Sequence, residues 1–193
     1  MLSTYDIPCV ILCGGKSSRM GEDKALLPFS HSDSLTEYQY KRLKPYFKKI
    51  YLSSKNDKFP FLKTQTNNLI LDIKEESSPI VALEAILKTI KSSKVFIITV
   101  DTPLVKIESI KQLVEKSFDN DICVAQTERT HNLCGVFDKS CLSKIEDMLK
   151  NDIHKVGYLL KSMETKYLNF ENEDEFINLN DKEEYARAKS IIS

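Results

Sequence analysis

The sequence predicts an α/β fold, a three-layer sandwich on a mostly parallel sheet. Short apolar runs alternate with amphipathic segments along the chain, the pattern of strands joined by crossover helices. The strongest run, VFIITV at 95–100, is apolar on both faces, as a central strand covered by helices on each side must be. The 193 residues, 41% hydrophobic and 29% charged, can supply the core of one domain spanning 1–193.

Residues 7–13 form an apolar run after a polar start, the mark of a buried strand. A helix follows over 33–47, with Leu35, Tyr38 and Leu43 facing inward. KIYLSS (49–54) is a second strand and LILD (69–72) a short third. Ser78 then stands as an N-cap with Pro79 at the first helical position. Ile80, Leu83, Leu87 and Ile90 recur behind it at helical spacing. Beyond the strand at 95–100 come a helix near 107–117, strands at 122–126 and 133–137, and helical stretches at 140–151 and 156–163. Residues 166–170 read as an edge strand. Asp181 caps a last helix running to about residue 192. No repeat, low-complexity stretch or linker interrupts this order.

Basic and acidic residues number 28 each. Zero net charge disfavours nucleic-acid binding, which draws on a basic surplus. Only four of the basic residues are Arg: Arg19, Arg42, Arg129 and Arg187. The start, MLSTYDIPCVILC, lacks a basic segment and is interrupted by Asp6 and Pro8, unlike a signal peptide. No stretch approaches the ~18 apolar residues of a membrane span. The five cysteines, at 9, 13, 123, 134 and 141, are odd in number and form no C-x-x-C pair. They predict buried reduced thiols rather than disulfides or a zinc site, and so a cytoplasmic protein.

Three of the five glycines fall in one segment, LCGGKSSRMGEDKALLPF. Glycine lets a ligand approach the main chain closely, and successive N–H groups in such a loop form an anion-binding nest. Lys16, Ser17, Ser18, Arg19 and Lys24 add hydroxyls, a guanidinium fork and ammonium groups. At the end of a buried strand this predicts a polyphosphate site through Leu12, Cys13, Gly14, Gly15, Arg19 and Lys24. It is neither a Walker loop nor G-x-G-x-x-G.

In parallel sheets ligands sit beyond the carboxyl ends of the strands, which singles out Asp72 and Asp101. Mg²⁺ is commonly held by one or two carboxylates plus phosphate oxygens. Asp101, directly after the strongest strand, is therefore the candidate metal ligand, with a cap on the next helix as the other reading. Asp72 is a nucleotide contact or a turn residue. Asn178 and Asn180 precede the last helix, as caps or as site residues. His131, in a polar turn, reads as a surface residue. His31 and His154 have no identifiable partners, and no Ser/His/Asp arrangement can be drawn from the three histidines.

L-x-G-G-x-S-x-R-M-G-x-x-K resembles the signature of nucleotidyltransferases with a Rossmann-like, nucleotide-diphospho-sugar transferase-like fold. The paired glycines resemble most closely the molybdenum cofactor guanylyltransferase family, whereas relatives that use CTP carry Ala-Ala-Gly at Cys13-Gly14-Gly15. The resemblance runs in register through Asp72, Asp101-Thr102-Pro103 and residues 176–180. It implies transfer of GMP from GTP to the terminal phosphate of molybdopterin, giving molybdopterin guanine dinucleotide and pyrophosphate. Arg19 and Lys24 would face the triphosphate, Asp72 the nucleotide, and Asp101 the Mg²⁺. Its partners would be GTP, molybdopterin and proteins of molybdoenzyme maturation, and the enzyme would act as a monomer. The chain departs from the family at Ser78-Pro79-Ile80-Val81-Ala82, where relatives carry Gly-Pro-Leu-x-Gly. It departs again near Ser54-Lys55-Asn56, where an Asn usually ends the second strand. The other readings are a cytidylyl- or sugar-phosphate nucleotidyltransferase, a non-catalytic nucleotide-binding module, and an interaction protein with a decayed site.

Overall fold

The structure, a computed structural model, describes residues 4–14, 23–62, 68–72 and 78–192. β1 (Cys9–Leu12) pairs in parallel with β2 (Ile50–Ser54) and β4 (Lys94–Thr99), and β2 pairs in parallel with β3 (Leu69–Leu71). β6 (Thr130–Asp138) runs antiparallel to both β4 and β5 (Ile122–Gln126). β7 (Thr165–Asn169) adds a parallel edge beside β5. The order β3-β2-β1-β4-β6-β5-β7 makes β4 the middle strand, as its two-sided apolar pattern predicts. The antiparallel β5–β6 hairpin is what keeps the sheet from being wholly parallel.

Alternate strand residues feed two cores, because successive side chains of a strand point to opposite faces. Cys9, Ile11, Phe96 and Ile98 pack against α1 (Leu35–Leu43), α3 (Ile107–Glu115) and α6 (Lys182–Ile192). Val10, Leu12, Val95 and Ile97 pack against α2 (Pro79–Thr89), α4 (Cys141–Lys150) and α5 (Val156–Ser162). Three layers result. Each fully buried Leu or Ile contributes ~1.5–3 kcal/mol.

Local chemistry sets the helix ends. Ser34 Oγ accepts from Glu37 N (3.1 Å) to start α1, and Glu37 reaches back to Asp33 N (3.0 Å), much as in a capping box. The helix stops at Leu43 rather than continuing to 47: Lys44 keeps helical geometry and donates to Tyr40 O, but Pro45 has no N–H to donate to the next carbonyl. Ser78 caps α2 with Pro79 in its first turn. Asp181 Oδ1 accepts from Glu183 N and Glu184 N (3.0 and 2.9 Å) and starts α6. No described helix is long and apolar enough to cross a membrane.

All five cysteines are buried and free. Burial pushes the Cys13, Cys134 and Cys141 thiols up to about 12. His131 differs from its expected surface position. It is buried in β6, stacked 4.7 Å from the Phe176 ring, with Nε2 2.8 Å from Thr127 Oγ1. Burial first, and the Arg129 cation second, hold its pKa below the ordinary 6.5.

Candidate active site

Leu12, Ser53, Ser54, Asp72 and Thr99, at or just past the carboxyl ends of β1 to β4, wall a cavity of about 320 Å³. Gly14 lies at its β1 edge, and the first turn of α2 closes it with Ser78, Pro79 and Ala82. The volume lies in the ~300–1,000 Å³ range of small-ligand sites. A Cβ built on Gly14 would meet nothing within 4 Å among the described residues, so the space over its backbone is open to a ligand. Asp72, buried, is fixed by its amide, which donates to Ser54 O at 3.0 Å.

Cys13 stands differently from its expected role. Its side chain enters the core with α1, its thiol donates to Ile11 O (3.4 Å), and its amide donates to Ser53 O (2.8 Å). Its carbonyl faces Lys58 Nζ at 3.5 Å, and Lys58 also pairs with Asp23. Cys13 thus holds the loop's base in place, with its own donors already engaged. Asp23 Oδ1 accepts from Ala25 N at 3.1 Å and starts the 3-10 turn Lys24–Leu26. Gly15 and Arg19 lie outside the described residues.

Lys24, Asp101 and Asn180 meet just past the carboxyl end of β4. Lys24 Nζ is 3.9 Å from Asp101 Oδ2 and donates to Asn180 Oδ1 at 3.3 Å. Leu179 N donates to Asp101 O (2.8 Å), pinning the 178–180 segment to the end of β4. Asp101 does not line the cavity itself; its neighbour Thr99 does. A buried clamp sets the turn that carries Asp101. Gln39 Nε2 donates to the carbonyls of Thr99 (3.2 Å) and Thr102 (3.1 Å). Arg42 Nε donates to Gln39 Oε1 (2.5 Å), and its Nη1 donates to Val105 O (2.7 Å).

Asp101 Oδ1 is buried and accepts no hydrogen bond among the described residues. A buried carboxylate oxygen left without a donor is costly, and a hard cation would satisfy it. No group of three or more His, Cys, Asp or Glu that could hold a metal occurs among the described residues. One carboxylate completed by phosphate oxygens and water still suits Mg²⁺.

A second cavity, about 250 Å³, is bordered by Arg129, Asn132 and Asn178 and shares Thr99 and Leu133 with the first. Thr99, Leu133 and Gln39 carry no motif that would mark them in the sequence. Ser53 was missed, although hydroxyls ending an apolar strand were a usable signal. In the sequence His154 has no identifiable partner, and the structure corrects this. His154 Nδ1 lies 3.0 Å from Ser78 Oγ and Nε2 lies 2.9 Å from Asp152 Oδ1.

A mostly parallel sheet with its cavity beyond the strand ends, edged by Gly14, places the chain among the α/β folds that bind ligands at their strand ends. A family model described as "MobA-like NTP transferase domain" matches residues 9–166. The chain belongs to that family. It is 40% identical over 191 residues to a molybdenum cofactor guanylyltransferase of Campylobacter jejuni subsp. doylei, covering 97% of each chain. It is 33% identical over 195 residues to one from Helicobacter pylori, covering 97% of this chain and 94% of the other. Among solved structures, a protein of Aquifex aeolicus superposes with a TM-score of 0.74 at 33% identity, over 91% of this chain and 94% of that one. Molybdopterin-guanine dinucleotide biosynthesis protein A of Archaeoglobus fulgidus shares the fold, with a TM-score of 0.79 at 19% identity over 96% and 98%.

Proposed function

We propose that the protein transfers GMP from GTP to the terminal phosphate of molybdopterin, releasing molybdopterin guanine dinucleotide and pyrophosphate. The observation that carries the reading is the meeting of Lys24, Asp101 and Asn180 just past the end of β4, whose Thr99 lines the cavity. Three distant stretches of chain bring a cation, a carboxylate and an amide to the place where a triphosphate leaving the glycine loop would run. The relatives' shared name, at up to 40% identity over nearly the full length, supplies the donor and acceptor.

The base enters the first cavity, between the apolar faces of Leu12 and Pro79, and the phosphates run along Gly14, Gly15 and Arg19. Asp72 contacts the nucleotide from the end of β3. Lys24 holds the phosphates with its ammonium group while Asn180 fixes that group's direction. Asp101 would hold Mg²⁺, which when bound neutralises phosphate charge as it shifts toward pyrophosphate. The acceptor lies in the second cavity, with Arg129 and Asn178 at its rim. One of its terminal phosphate oxygens bonds to the α-phosphorus, and the bond from that phosphorus to the bridging oxygen breaks. Pyrophosphate leaves with the electron pair. A phosphate nucleophile is already anionic, so no general base is required, and the chain's work is positioning and charge stabilisation. The five free buried thiols support a cytoplasmic setting. A single domain acting as a monomer completes the reading.

Thermal unfolding with each of the four NTPs and Mg²⁺ tests it. At about a hundredfold excess over Kd, GTP is expected to raise the melting temperature by about 5–10 °C, with pyrophosphate released only when molybdopterin is added. Equal or larger stabilisation by CTP would favour a cytidylyl transferase. GTP binding with no pyrophosphate release would favour a binding module.

A further inference from the structure

We propose that Thr36, Gln39 and Arg42, a polar ridge on the inner side of α1, are positioning residues that hold Lys24 and Asp101 at the separation a magnesium triphosphate needs. The inference deepens the guanylyl reading and rests on Lys24 meeting phosphate and Asp101 meeting Mg²⁺.

The three residues lie three apart along the helix, so they share one face. Leu35, Tyr40 and Leu43 of the same helix supply its apolar packing, whereas Thr36 and Gln39, both 0% exposed, bury polar groups. Apolar side chains would fill such places without the cost of desolvating a hydroxyl or an amide. Each polar group instead holds the backbone of a turn that carries a site residue. Thr36 Oγ1 donates to Ala25 O at 2.8 Å, and Leu35 N donates to Leu27 O at 2.7 Å. These two bonds fasten the turn bearing Lys24 to the start of α1. Farther along the helix, Gln39 Nε2 grips the carbonyls of Thr99 and Thr102, which flank Asp101. Arg42 Nη1 takes Val105 O just beyond.

The direction of the Gln39 amide follows from its neighbours. The two carbonyls only accept and the guanidinium only donates, so Nε2 faces Thr99 and Thr102 while Oε1 faces Arg42. Arg42 Nη2 is buried and meets no acceptor among the described residues. A guanidinium kept in the interior at that cost has its use in what Nε and Nη1 hold. One helix thus fixes both turns, and groups that stabilise charge act only when held in place beforehand.

Equilibrium binding of GTP, with and without Mg²⁺, tests this in wild type, Gln39→Met, Thr36→Val and Thr36→Ser. Gln39→Met keeps the length of the side chain and releases the Asp101 turn. Its Kd for GTP with Mg²⁺ is expected to rise about 10-fold, with the metal-free Kd unchanged. On an Asp101→Ala background it adds nothing, because both changes act through one carboxylate. Thr36→Val keeps the shape and loses the donor. It is expected to weaken GTP about 5-fold with or without Mg²⁺ and to add nothing on a Lys24→Ala background, while Thr36→Ser binds as wild type does. A merely structural role would lower the melting temperature and leave the binding losses undiminished on the Asp101→Ala and Lys24→Ala backgrounds. That result, or wild-type binding in either Gln39→Met or Thr36→Val, overturns the inference and leaves the guanylyl reading standing. If Gln39→Met does not fold, the Thr36→Val and Thr36→Ser pair decides alone. Wild-type binding of GTP and Mg²⁺ by Asp101→Ala or Lys24→Ala overturns the roles given to those groups, and the inference with them.

Discussion

Asp101 Oδ1 sits buried without a donor among the described residues, while Oδ2 faces Lys24 across 3.9 Å. Stability alone would not choose such a group, since an unsatisfied buried oxygen costs ~1–3 kcal/mol. Asp101→Ala is therefore expected to lower turnover by ~10²–10³ while the melting temperature stays at or above that of wild type. Steady-state rates and calorimetry on the same preparation check both halves. An equal loss of stability would mean that the carboxylate serves the fold. At this scale the sequence was informative wherever position along a strand carried the meaning. The places of Asp72 and Asp101 just past strand ends were legible because apolar runs mark where strands stop, and strand ends in parallel sheets are where ligands sit. That the Cys13 side chain enters the core and its amide joins the ladder to Ser53 is visible only once β2 lies beside β1. Arg42 shows the same limit. As one of four arginines it drew attention, yet it works from the interior, orienting Gln39, and burial lowers its pKa.

The strands differ in how much substitution they tolerate. A Cβ on Gly135, in β6, would lie 2.1 Å from Cys123 O and 2.8 Å from Val124 Cα, next to the register shift between Val124 and Ala125. Gly135→Ala must displace backbone between two paired strands and is expected to cost at least ~1–3 kcal/mol, measured by denaturant unfolding. Gly14→Ala should leave the free protein's midpoint unchanged and weaken nucleotide binding. Element starts were largely legible, because caps are local chemistry: Ser78-Pro79 and Asp181 each marked a helix correctly. Ends were less so. The first helix was overextended past Pro45, and β6 begins at Thr130 rather than 133, since its pairing with β5 past the bulge is a tertiary event.

Across the whole molecule, site and stability both depend on contacts far apart in sequence. Lys24 and Asn180 are 156 residues apart, and only the sheet order brings them to Asp101. His131 and Phe176, 45 positions apart, account for a histidine that the sequence places on the surface and the structure buries. With its folded pKa below 6.5, the unfolded chain binds a proton before the folded one does. Stability therefore rises with pH in that interval and is lost on acidification below 6.5. His131→Phe, which keeps a ring against Phe176, is expected to flatten the fall in melting temperature between pH 6.5 and about 5. An unchanged slope would place the acid-sensitive group elsewhere. The fold class and the middle strand were readable because alternation and two-sided apolarity are whole-chain signals. The second cavity was not, since β6, the end of β4 and the 176–178 stretch build it together.

Diffraction from crystals grown with GTP and Mg²⁺ tests the central claim most directly. The account predicts the base in the cavity between Leu12 and Pro79, with the α-phosphate on the side of Lys24 and Asp101. Nucleotide bound elsewhere, with Asp101 turned away from its phosphates, would contradict it.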